Sequence, residues 1–151
     1  MIKVYVWSKN AEFVGHAALS IGNVYVSFWP EGAAGKKDLK IKRSHPGALM
    51  QSLQHDIKNE GNRQPIIVAI RYGIDEDRLL KYIRSLQENT PKYQLARRNC
   101  SNIVAECLLE ASQKEPSFVP TASAYGRVAK TLGRGVWTPD QVLKYARELA
   151  K

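Results

Sequence analysis

Cys100 has the clearest chemical prospects of any residue in this sequence. It follows Asn99, a favoured helix N-cap, and precedes the apolar pair Ile103-Val104, so the spacing predicts that it lies in the first turn of a helix. Backbone N–H groups and the helix dipole favour a thiolate there, and Arg97 and Arg98 add positive charge just upstream. The N–H of Cys100 itself can donate to an oxyanion. Cys107, two turns deeper on the apolar face, reads as an inert core thiol. Seven helical residues separate the two Cα atoms by about 10 Å, beyond the ~7 Å reach of a disulfide. From position alone, a small buried hydrophobe is an equal reading of Cys100.

A thiol nucleophile needs a base. His16 stands in Gly15-His16-Ala17-Ala18-Leu19-Ser20-Ile21, where small neighbours leave room beside the ring. His45 follows a loop serine and His55 sits on the polar side of a helix, so both are weaker candidates. A structural histidine is the plainer reading of any of the three. They complete no zinc spacing with the thiols, and no metal or organic cofactor is expected. Tyr93 and Gln94, seven and six residues before Cys100, either border an oxyanion site or are ordinary edge-strand residues. Trp137 either staples the last helix or walls a cleft, and the staple is the simpler reading.

These residues must be positioned by a small set of elements. Residues 1–7 alternate as a strand, and Phe13 to Ile21 and Val24 to Trp29 read as two more, joined by the turn Gly22-Asn23. Residues 30–45 read as a long loop. Pro46 is expected to open a helix to about Asn59, with Leu49, Leu53 and Ile57 at helical spacing. Pro65 to Tyr72 reads as a central strand because its apolar run is continuous. Helices follow from Asp75, from Asn99 to about Ser112, from Thr121 to Leu132, and after the capping box Thr138-Pro139-Asp140-Gln141. Strands first and helices later, with no repeat or linker, imply a single α+β domain over 1–151.

Two segments carry a family resemblance. Gly15-His16-Ala17-Ala18-Leu19-Ser20-Ile21-Gly22-Asn23, followed by Val24-Tyr25-Val26-Ser27-Phe28-Trp29-Pro30, resembles the His hairpin of circularly permuted papain-like (NlpC/P60-like) proteins. The lecithin:retinol acyltransferase-like branch is the nearest. Tyr93 and Arg98-Asn99-Cys100-Ser101-Asn102-Ile103-Val104 are similar to that branch's cysteine segment, and in both His precedes Cys. The resemblance covers roughly 30 of 151 residues. It implies an antiparallel sheet with helices packed on it, Cys100 attacking an acyl carbon, and His16 activating the thiol. It also implies a polar third residue on the strand after His16, a position that falls to Ser27. Gln94 has the offset of papain's oxyanion glutamine. Two departures stand out: serine brings no charge to the third position, and Ser101-Asn102 replace the branch's Glu-His.

The activity so implied is a cysteine hydrolase or acyltransferase, cleaving a peptide or peptidoglycan-type amide or an acyl-lipid ester through a thioester on Cys100. Amide bonds are favoured. The net charge of +9 supports a different reading, a non-catalytic basic module for nucleic acid or anionic membrane. Lys36, Lys37, Lys40, Lys42 and Arg43 form its densest patch. No apolar run is long enough to span a membrane, and no signal peptide is evident at the start. The expectation is a cytoplasmic protein, or one exported without a Sec signal.

Overall fold

The structure, a computed structural model, describes residues 1–30, 46–49, 52–93, 98–120 and 136–151. Its centre is a four-stranded antiparallel sheet in the order β3-β2-β1-β6, formed by β1 (Ile2–Trp7), β2 (His16–Ile21), β3 (Val24–Val26) and β6 (Ile66–Ile70). Two short strands, β4 (Trp29–Pro30) and β5 (Gly47–Ala48), pair separately. Four helices occur among the described residues: α1 (Leu53–Asn59), α2 (Glu76–Glu88), α3 (Cys100–Ser112) and α4 (Pro139–Leu149).

Alternation along β1 and β2 divides the interior in two. Ile2, Val4 and Val6, with Ala17, Leu19 and Ile21, face α2, α3 and α4 in the larger apolar cluster. Tyr5, Trp7 and Ala18 face the other way and meet Leu53 and Ile57 of α1. Both faces of β1 and β2 are therefore covered. None of the four helices is long and apolar enough to cross a membrane.

Several expected elements stand as read. Asn99 and Thr138 are N-caps with complete capping boxes, and Pro139 occupies the first turn of α4. Ile21 pairs with Val24 across the turn, where Gly22 takes a left-handed φ of 58°. Others shift. The first hairpin strand begins at His16 rather than Phe13, because the Asn10 carboxamide caps a turn at Glu12 and Phe13 and Gly15 has φ 87°. Its partner leaves the sheet after Val26, where the Ser27 N–H bonds to the Leu49 carbonyl. Pro46 opens no helix. Gly47–Ala48 pairs with Trp29–Pro30 instead, and α1 starts six residues later at Leu53, capped by Ser52. The strand expected to be central lies at the sheet edge, with Ile66 and Ile67 about half exposed at 43% and 53%. A continuous apolar run does not by itself fix strand order. The helix expected at 121–132 lies outside the described residues.

Candidate active site

His16 is the first residue of β2 and is fully buried. Its Cα partner on β1 is Trp7, so the ring points to the α1 side of the sheet. Trp29 stacks on the imidazole at 4.4 Å between centroids, and Trp7 lies 5.7 Å away on a tilted plane. Beyond the paired residues of β3, the chain carries Ser27 and Trp29 to the ring, Ser27 through its hydroxyl and Trp29 by stacking.

The ring's Nε2 lies 2.7 Å from Ser27 Oγ and 3.2 Å from Asp56 Oδ2. Asp56 is a fully buried acid on α1 that the sequence reading did not single out. Its Oδ2 also accepts from Ser27 Oγ at 2.6 Å and from the Tyr25 hydroxyl at 2.5 Å. Its Oδ1 accepts from Trp29 Nε1 at 2.6 Å and faces His55 Nδ1 at 3.2 Å. Burial alone would raise the carboxyl pKa. The His16 charge and the hydrogen bonds from His16, Ser27 and Tyr25 outweigh it and hold Asp56 well below the usual carboxylate range. Burial, then the Asp56 charge, pushes the Tyr25 phenol up, so Tyr25 stays a neutral donor.

This network fixes a tautomer. An ionised carboxylate only accepts, so the single proton of Ser27 goes to Asp56. Ser27 Oγ then accepts from Trp29 Nε1 at 3.0 Å and from His16, whose Nε2 must carry the hydrogen. In the neutral ring the basic atom is therefore Nδ1. Seven residues make a marginal helix, so α1 needs external anchors to place Asp56. The Arg63 carbonyl, just beyond it, takes the Trp7 Nε1 hydrogen bond at 2.8 Å, and Arg63 Nη1 donates to the Ser8 carbonyl at 3.1 Å.

Cys100 opens α3 as its first helical residue and is 2% exposed, within the larger cluster on the side of Ala17 and Leu19. Its helix end is tied to the segment before α4: Asn99 Nδ2 donates to the Trp137 carbonyl at 2.9 Å, and the Trp137 N–H donates to Asn102 Oδ1 at 3.4 Å. Two residues on, Pro139 packs so closely on Gly15 that an added Cβ there would lie 3.0 Å from its ring. The first turn of α3 and the start of β2 thus meet the same short segment. Trp137 itself packs against Tyr145 of α4 and against Phe118.

The other candidates fall as follows. Ser27 joins His16 directly. Cys107 is fully buried, and burial with the nearby Glu106 and Glu110 pushes its thiol up, as expected of a core residue. Both cysteines are free thiols. Arg98 pairs with Glu106 at 2.8 Å, which spends much of its charge away from Cys100. Tyr93 is buried in the core with its ring 5.1 Å from Phe28. His55 lies half-exposed beside Asp56, edge-on to Trp29 at 5.2 Å. Gln94, Arg97, His45 and the basic residues Lys36, Lys37, Lys40, Lys42 and Arg43 lie outside the described residues. No cluster that could hold a metal occurs among the described residues.

One signal for Asp56 was present in the sequence. It stands three residues after Leu53 and one before Ile57, on the apolar face of its helix, where an unpaired acid is costly.

No curated protein and no solved structure matches this chain. The model of one family, described as the IcsB middle domain, matches residues 66–151. That span begins with β6 and includes α2, α3 with Cys100, and α4; His16, Ser27 and Asp56 precede it. With more than half of its length matched, the chain belongs to the IcsB middle domain family.

Proposed function

We propose that this domain is a cysteine-dependent acyl hydrolase or acyltransferase on a permuted papain-like fold, acting on amide bonds, with Cys100 as nucleophile, His16 as base, and Asp56 as the acid that orients His16. The observation that carries this reading is the buried imidazole whose Nε2 is held by Ser27 and Asp56. A nucleophile, a base and a group that orients the base form the recurrent unit of covalent acyl transfer. Asp56 supplies the charge that Ser27 lacks, with Ser27 bridging the two.

In this reading His16 Nδ1 takes the thiol proton, and the Cys100 sulfur adds to the carbonyl carbon. The tetrahedral oxyanion is met by the helix N-terminus, including the Cys100 N–H. The C–N bond then breaks as His16 returns the proton to the departing amine, leaving a thioester. Water or a second amine, deprotonated by His16, resolves it. Asp56 stays ionised and stabilises the imidazolium. The sequence requires Cys100 Sγ to reach the ring around the N-terminal end of β2, where α3 and β2 meet Trp137–Pro139.

The test is single-turnover acyl transfer from an activated ester, with intact mass for a thioester adduct. Wild type gains the adduct and Cys100→Ala does not. Wild-type turnover in Cys100→Ala ends the reading. The net charge of +9 favours a second reading, a basic module for an anionic partner, and a steep salt dependence of polyanion binding by a protein with an inert Cys100 would select it.

A further inference from the structure

We propose that Tyr25 tunes His16 through Asp56, as a positioning rather than a catalytic residue: its phenol withholds part of the carboxylate's charge from the imidazole. Asp56 Oδ2 faces three groups at once, with Tyr25 at 2.5 Å, Ser27 at 2.6 Å and His16 at 3.2 Å. The histidine contact is the longest of the three. A carboxylate oxygen that gives charge to two short hydroxyl bonds offers less to the third partner.

The geometry makes this a matter of charge and not of displacement. Ser27 and Trp29 hold both carboxylate oxygens independently of Tyr25. Tyr25 is held in turn by its place on β3 opposite Ser20 and by its edge-on contact with Tyr5 at 5.5 Å. Among the described residues, the titratable and charged groups facing Asp56 are His16 from β2, Tyr25 from β3 and His55 from α1, with Tyr5 of β1 behind the Tyr25 ring.

Tyr25 also lies beside a surface groove. With Val24, Leu80, Ile83 and Arg84 it lines a cleft of about 580 Å³ between the β2–β3 hairpin and α2.

The inference rests on the His16–Asp56 network and does not depend on the chemistry of Cys100. Its test is nitrogen NMR of the His16 ring against pH, in the full chain, for wild type and Tyr25→Phe. Removing the hydroxyl leaves the ring packing intact and concentrates charge on Oδ2, so the His16 midpoint rises by about 0.5–1 unit, roughly a three- to tenfold gain in proton affinity. An unchanged or lowered midpoint overturns the proposal. Should Tyr25→Phe fail to fold, the native protein supplies the measurement: the Tyr25 hydroxyl proton gives a downfield, slowly exchanging resonance that is lost in Asp56→Asn. Its absence from wild type overturns the proposal equally. A shifted His16 midpoint with an unreactive Cys100 supports the role of Tyr25 and sinks only the enzymatic reading.

Discussion

Replacing Asp56 by Ala tests the centre of the site most directly. The side chain is fully buried and faces donors from Tyr25, Ser27, Trp29 and both nearby histidines. The hydroxyls of Tyr25 and Ser27 can rotate to new partners, whereas the Trp29 indole N–H loses its shorter bond and keeps the longer one to Ser27. A buried donor left unsatisfied costs about 1–3 kcal/mol, and removing one member of a buried pair costs about 3–5 kcal/mol. The overlapping effects amount to about 3–5 kcal/mol, a large part of the 5–15 kcal/mol expected for a whole domain. Urea unfolding would show a lower midpoint at unchanged slope. The loss depends on pH. Because the folded pKa of Asp56 lies below the unfolded value of about 3.9, its stabilisation is complete above that value and fades as pH falls toward the folded one. The part of the difference between wild type and Asp56→Ala that comes from the carboxyl itself should therefore shrink below about pH 4. A loss under about 1 kcal/mol, or a difference that does not narrow in acid, would refute the account of Asp56.

Four further outcomes follow from the same contacts. Ser27→Ala costs less stability and less activity than Asp56→Ala, because the direct His16–Asp56 approach at 3.2 Å survives; single-turnover rates of the two variants give the order. Iodoacetamide at neutral pH alkylates Cys100 before Cys107, and His16→Ala slows the Cys100 reaction and moves its pH dependence upward, as read by peptide mass spectrometry. Gly15→Ala destabilises by about 1–3 kcal/mol in urea, since φ is 87° and the new Cβ would sit 2.6 Å from the Trp7 carbonyl. Asn99→Ala loses a capping box and the tie to Trp137, about 1–2 kcal/mol by the same assay.

Much of this molecule is legible locally. Caps act through bonds three residues apart, so Asn99 and Thr138 could be placed without any tertiary information, and Cys100 with them. The pairing of Ile21 with Val24 follows from a two-residue turn, while Ser27 and Trp29 reach His16 beyond the paired strand, held by Leu49, Ala48 and Asp56. What spacing could not reach was the partner from α1. Asp56 lies 40 positions from His16, and only the docking of α1 on the Tyr5–Trp7–Ala18 face brings the carboxylate to the imidazole. The start of α1 differs from the helical spacing because Gly47–Ala48 finds a strand partner in Trp29–Pro30, a long-range choice that local spacing cannot report. The edge position of β6 was missed for the same reason, since neighbours in a sheet are chosen in space. Which residues begin helices, which turn, and which thiol sits at a positive helix end are local matters, because they depend on bonds a few residues long. That an acid joins Ser27 at His16 follows from long-range packing, because burying that charge requires donors from three separate elements to converge on it.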